Sequence, residues 1–252
     1  RRTFTADYYV FDIKREELRP LSDGGPQEVP LFSPDSRYIA FARENNLFIK
    51  KLDFNTESAV TTDGQPGKVI NGTPDWVYEE EFERTRHFVW SPDSKLLAFL
   101  KFNEADVPFF SFQKFGTEKD TKTDIELYPT DFSFKYPKAG QVNSKVSVCV
   151  FDDFNKTTRI MKISEPNEDF YVPRIQWTNN NEQLFVYKLN RNQNRLDILT
   201  VNPRSTISKL VLRMDDKRYI DYQIIDDVQF TSDNQFFFML SEQNGYRHIY
   251  QY

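Results

Sequence analysis

The chain has 252 residues, 38% of them apolar and 16% aromatic, and a formal net charge of −5. Acids and bases are interspersed without a basic stripe, which argues against a nucleic-acid partner, and no apolar run approaches the roughly 18–20 residues of a spanning helix. A single cysteine excludes an intrachain disulfide, so packing must supply the stability.

From the amino end, Arg1 to Asp12 already read as a strand, without a signal peptide, so the chain is expected to be a piece of a longer protein. Phe32-Ser33-Pro34-Asp35-Ser36-Arg37-Tyr38-Ile39-Ala40-Phe41 follows: an aromatic, a small hydroxyl residue, a polar turn and an apolar strand. Asn46 to Lys50 alternate in polarity and read as the next strand.

Asn71 to Arg84 break the β pattern. Thr73 is read as a helix N-cap, Pro74 as the first helical residue and Asp75 as an acid favouring the positive end. Three successive carboxylates, Glu79, Glu80 and Glu81, stand among Trp76, Tyr78 and Phe82. Such a run is ordinarily a solvated helix face, but the flanking aromatics draw this one onto a protein surface.

The turn pattern returns as Trp90-Ser91-Pro92-Asp93-Ser94, weakens to Trp177-Thr178-Asn179-Asn180-Asn181, and recurs as Phe230-Thr231-Ser232-Asp233-Asn234. The copies begin at residues 32, 90, 177 and 230, in steps of 58, 87 and 53. Steps in the fifties, with several strands per unit such as Arg195 to Leu199, predict propeller blades rather than a sandwich. The excess in the long step falls in Pro108 to Asn143, whose eight aromatics are too apolar for a loose loop and predict a protruding arm that packs on something, a second subunit included. Cys149, within Val146 to Phe151, is read as a buried, inert thiol.

Asp75-Trp76-Val77-Tyr78-Glu79-Glu80-Glu81 resembles the glutamate motif of the dipeptidyl peptidase IV branch of the prolyl oligopeptidase clan. The likeness extends to Arg1-Arg2-Thr3-Phe4-Thr5-Ala6, to Lys101-Phe102-Asn103 and Val107-Pro108, to Tyr136-Pro137-Lys138-Ala139-Gly140-Gln141-Val142-Asn143, and to Gly245-Tyr246-Arg247-His248-Ile249.

The resemblance implies an all-β fold: residues 1–252 would be about four blades of an eight-bladed β-propeller, with a short helical insert bearing the glutamate motif and an arm at residues 108–143. In the family the propeller caps a C-terminal α/β-hydrolase domain, and the parent is a serine exopeptidase releasing X-Pro or X-Ala dipeptides. Two adjacent glutamates that hold the peptide's free α-ammonium map onto Glu80 and Glu81. A substrate-binding arginine maps onto Arg1. Glu79 becomes the motif's structural leading acid, and the arm becomes the contact of a homodimer. With one cysteine the disulfides of animal relatives are impossible, which points to a bacterial parent, exported to the periplasm or cell surface. The family's aromatic-arginine pair finds no match in Tyr219 to Gln229.

No residue of this chain is expected to be catalytic. None of its 8 glycines opens the Gly-x-Ser-x-Gly turn of an α/β-hydrolase. His87 is read as a partly buried neighbour of Trp90 and His248 as a strand residue at a blade edge. No cluster has zinc spacing and no glycine-rich phosphate loop exists, so neither metal nor cofactor is expected. Two other readings stay open: a non-catalytic propeller that binds proteins, and a tripeptidyl or acyl-peptide hydrolase relative. The paired glutamates weigh against the first, and against an acyl substrate, which has no ammonium.

Overall fold

In a computed structural model, the structure describes residues 2–115, 128–165 and 168–252. The elements follow the chain as antiparallel sheets. Strands β1 (Tyr9–Asp12) and β2 (Glu17–Pro20) form a hairpin, and β3 (Glu28–Phe32), β4 (Tyr38–Arg43), β5 (Asn46–Lys51) and β6 (Thr56–Ala59) a four-stranded meander. Next come β7 (Val69–Asn71), helix α1 (Trp76–Glu80), β8 (Phe88–Trp90), β9 (Leu96–Asn103), the hairpin β10 (Phe109–Lys114) and β11 (Thr130–Lys135), then β12 (Lys145–Asp152) and β13 (Thr157–Ile160). A second meander is β14 (Phe170–Trp177), β15 (Leu184–Asn190), β16 (Arg195–Val201) and β17 (Ser208–Asp215). A 3-10 helix (Tyr222–Ile225) leads to β18 (Gln229–Phe230), β19 (Phe237–Ser241) and β20 (His248–Gln251). Three full blades thus stand between two partial sheets, the arc of a propeller that the turn repeats predict.

The repeated turns show how the blades succeed one another. In three copies the fifth residue bonds back to the second: Ser36 N–H to Ser33 O, Ser94 N–H to Ser91 O and Asn234 N–H to Thr231 O, each 2.9 Å. Each turn also bonds to its counterpart in the next blade. Asp35 N–H donates to Ser94 Oγ at 3.0 Å, Asp93 N–H to Asn181 Oδ1 at 3.1 Å, and Asn179 N–H to Asn234 Oδ1 at 3.0 Å. The indoles of Trp90 and Trp177 reach back to Leu31 O and Val89 O in the preceding blade.

Hydrophobic clusters lie between sheets. Along β9, Leu97 and Phe99 enter the cluster shared with the first meander, while Ala98, Leu100 and Phe102 enter the one shared with the second. On β12, Cys149 and Phe151 face one way and Val146, Val148 and Val150 the other. A sheet buried on both faces reads in sequence as a continuous apolar run.

The helical insert interrupts one strand. β7 pairs with Lys101 to Asn103 of β9 and β8 with Leu97 to Phe99, so the two are halves of a single blade strand with residues 73–86 looped out between them. Its roots are tied by His87 N–H donating to Gly72 O at 2.8 Å. Gly72 has φ +77°, and a Cβ there would lie 2.5 Å from Leu47 of the preceding blade, so this root tolerates only glycine.

Candidate functional site

The looped-out segment is organised by burial. The N-cap is Asp75 rather than Thr73, and Pro74 precedes the helix rather than opening it: Asp75 Oδ1 accepts from Tyr78 N–H at 2.9 Å. Thr73 is instead buried at the root of the insert. Asp75 also accepts from Ser144 Oγ at 2.6 Å, and its burial pushes its pKa above the usual carboxylate value against those two hydrogen bonds. Tyr78, 2% exposed, packs among Phe82, His87 and Phe102, and its hydroxyl accepts from Val172 N–H at 2.7 Å in the next blade. Trp76 meets Tyr136 edge-on with ring centroids 4.3 Å apart. Past the helix, buried Phe82 sits between Tyr171 at 5.3 Å and Tyr222 at 5.1 Å.

These anchors set the directions of the three acids. Neighbours on a helix differ by about 100° in direction, and here Glu79 is buried, Glu80 half-buried and Glu81, the C-cap, exposed. Glu79 Oε1 accepts from Arg2 N–H at 2.5 Å, Thr3 N–H at 2.6 Å and Thr3 Oγ1 at 2.7 Å. Exposed Glu83 pairs with the Arg2 guanidinium at 2.8 Å. The fold therefore leaves Glu80 and Glu81 at the surface beside a buried third acid. Arg1 lies outside the described residues.

The stretch from Tyr136 to Asn143 folds back over the insert. Besides the Tyr136–Trp76 contact, Asn143 Nδ2 donates to Tyr171 Oη at 2.7 Å, and Arg191 donates to Gln141 O at 2.9 Å. Tyr219 to Gln229 also come to this place: Tyr222 touches Phe82, and Asp226 pairs with Arg84. Beside it, an open cavity of about 520 Å³ runs along β8 and β14, with Arg84, Arg86 and Arg174 on its wall. Ser144 and Tyr171 are supports that the motif reading did not name, and Thr3, which lies in its first quoted stretch, was given no role there. Ser144 directly follows the quoted stretch, but nothing local to it signals that Asp75 is its partner.

His87 is wholly buried, not partly, and packs on Tyr78 and Phe102 rather than on Trp90. Burial, reinforced by the charge of Arg84, pushes its pKa down to about 3, so it is neutral at pH 7. His248 begins β20 and is exposed, and burial pushes the Cys149 thiol up to about 12, leaving it inert. Among the described residues no three His, Cys, Asp or Glu side chains are grouped to hold a metal ion.

A family model described as the dipeptidyl peptidase IV (DPP IV) N-terminal region matches residues 1–252. The chain belongs to that family. Within it, the chain is 42% identical to the dipeptidyl peptidase 4 of Porphyromonas gingivalis, whose crystal structure superposes with a TM-score of 0.91 over 100% of this chain and 35% of that one. It is 34% identical over 220 residues to a probable dipeptidyl-aminopeptidase B of Coccidioides posadasii, covering 84% of this chain and 24% of the relative. A putative dipeptidyl aminopeptidase IV from Bacteroides ovatus shares the fold at 20% identity, with a TM-score of 0.76. The chain spans about a quarter of the length of the curated relatives it matches and about a third of the solved ones.

Proposed function

We propose that this DPP IV N-terminal region is the substrate-gating part of a serine exopeptidase that releases N-terminal dipeptides, and that Glu80 and Glu81 hold the peptide's free α-ammonium, with Arg1 as a further substrate contact. The observation that carries the reading is the graded burial from α1 to its C-cap, which hides Glu79, half-buries Glu80 and exposes Glu81, so that two adjacent carboxylates lie outside the buried face. An ammonium has three donors, which two carboxylates accept as charge-assisted hydrogen bonds. At about 4 Å and an effective dielectric near 20, each pair gains about 4 kcal/mol before desolvation and mutual repulsion of the acids subtract from it.

Held by its terminus, the peptide offers its second peptide bond to a nucleophile at a fixed distance, so the clamp acts as a ruler. The nucleophile belongs to a C-terminal α/β-hydrolase domain of the parent, which is a homodimer joined through the β10–β11 hairpin and exported by a bacterium.

The test uses the full-length enzyme. Glu80→Gln and Glu81→Gln each remove one charge at constant shape, a loss of roughly 1.5–3 kcal/mol, or about ten- to hundred-fold in kcat/KM. Equal cleavage of amino-blocked and free substrates by the unaltered enzyme would refute the assignment.

A further inference from the structure

Glu79 is the acid of the run that the fold buries, and its described partners come from the far end of the chain. Residues 2–5 belong to no sheet. Their position is set by two anchors, the Ala6–Gln27 pair of backbone hydrogen bonds at 3.0 and 2.8 Å and the three donors converging on Glu79 Oε1. Thr3 is itself buried, and it supplies two of those donors. A five-residue helix cannot hold its own geometry in water, so a buried carboxylate gripping another segment fixes both partners at once. The carboxylate also requires these donors, because an unsatisfied buried charge is strongly destabilising.

We propose that Glu79 is a positioning residue: it locks the amino-terminal segment that carries Arg2 and Thr3 against α1, at whose end Glu80 and Glu81 stand, and so sets the spacing of the substrate-terminus site. This rests on the ammonium reading of Glu80 and Glu81. Glu79 touches no substrate and acts through the acids beside it. Of the three bonds that lock the two segments, one is a side-chain pair, Thr3 Oγ1 with Glu79, and both its members can be altered.

The test compares two substrates in the full-length enzyme, Ala-Pro p-nitroanilide and its desamino counterpart, propionyl-Pro p-nitroanilide. Thr3→Val keeps the size and the backbone donor but removes the hydroxyl. It lowers kcat/KM for the free-amine substrate about two- to ten-fold, chiefly through KM, and leaves the desamino substrate within about twofold. Glu79→Ala lowers the ratio of the two further. Glu79→Gln, which keeps an oxygen acceptor, restores most of it. A general loss of stability moves both substrates together and leaves the ratio intact. If Glu80→Gln and Glu81→Gln lower the ratio while Thr3→Val does not, the positioning role falls alone. If the glutamine variants at 80 and 81 leave the ratio unchanged, the ammonium reading falls and takes the positioning role with it.

Discussion

His87 lies with its ring 5.3 Å from that of Tyr78 and 5.5 Å from that of Phe102, and its Nε2 has no hydrogen-bond partner among the described residues. Its native pKa of about 3 stands below the ordinary 6.5 of an unfolded chain. Between those values the unfolded state binds a proton that the native state refuses, so stability rises with pH across the window and falls as acid is added. Each unit of pH is worth at most about 1.4 kcal/mol. Asp75, whose pKa burial raises, acts in the opposite sense above its usual 3.8. His87→Phe removes the first effect and keeps the second. The urea midpoint of the unaltered chain is expected to fall from pH 7 to pH 5 more steeply than that of the variant, and parallel slopes would show that His87 is not a buried neutral base. The completeness of that burial was invisible in the sequence, which pointed only to a partly buried residue, because the aromatics that enclose His87 come from α1 and β9 rather than from its own neighbours.

At the scale of single elements, the turn repeat is the most legible feature. Ser36, Ser94 and Asn234 adopt φ of 60°, 63° and 56°, a left-handed conformation that costs a non-glycine residue roughly 1–2 kcal/mol. Ser36 is exposed, whereas Ser94 accepts from Asp35 N–H across the blade boundary. Ser36→Gly relieves the strain, less glycine's entropic cost of roughly 0.5–1 kcal/mol. Ser94→Gly also loses a hydrogen bond worth about 0.5–1.5 kcal/mol. Ser36→Gly is therefore expected to be neutral or mildly stabilising and Ser94→Gly to be the less stable of the two, measured as paired denaturant midpoints. Helix α1 was legible as a helix but not in its cap. Thr73, Pro74 and Asp75 are all acceptable starters, and the choice fell to Asp75 because Ser144 provides its second partner.

Across the whole molecule, the hairpin β10–β11 pairs with no blade, and Phe109, Phe112 and Phe132 on it are 62%, 45% and 50% exposed. Its roots are already joined, with Tyr136 N–H donating to Pro108 O at 2.9 Å. Replacing residues 109–135 with a two-residue Asn-Gly link should therefore leave the blade intact. If the hairpin is the subunit contact of the full-length protein, its removal shifts the solution mass toward monomer by light scattering. An unchanged oligomer would exclude it. The sequence marked this arm by its aromatics and by the long step between turn repeats, since an insertion between two strands of one blade lengthens the period without altering the blade.

The sequence by itself determined the blades, because an aromatic, a turn and a two-sided apolar strand are local signals that recur along the chain. It also singled out the acidic insert, through a motif whose residues are contiguous. The resemblance set Glu79 apart as structural, and tertiary structure decided how it is held facing inward. The choice of Glu79 over Glu80 depends on Thr3, which lies 76 residues away along the chain. It likewise decided that Asp75, Tyr78 and Phe82 are held by Ser144, Val172 and Tyr222, each from a different stretch of chain. Unlike the bonds from one repeated turn to the next, the hydrogen bonds and ring contacts that hold the insert leave no periodicity in the sequence, because their partners meet only when separate sheets pack side by side.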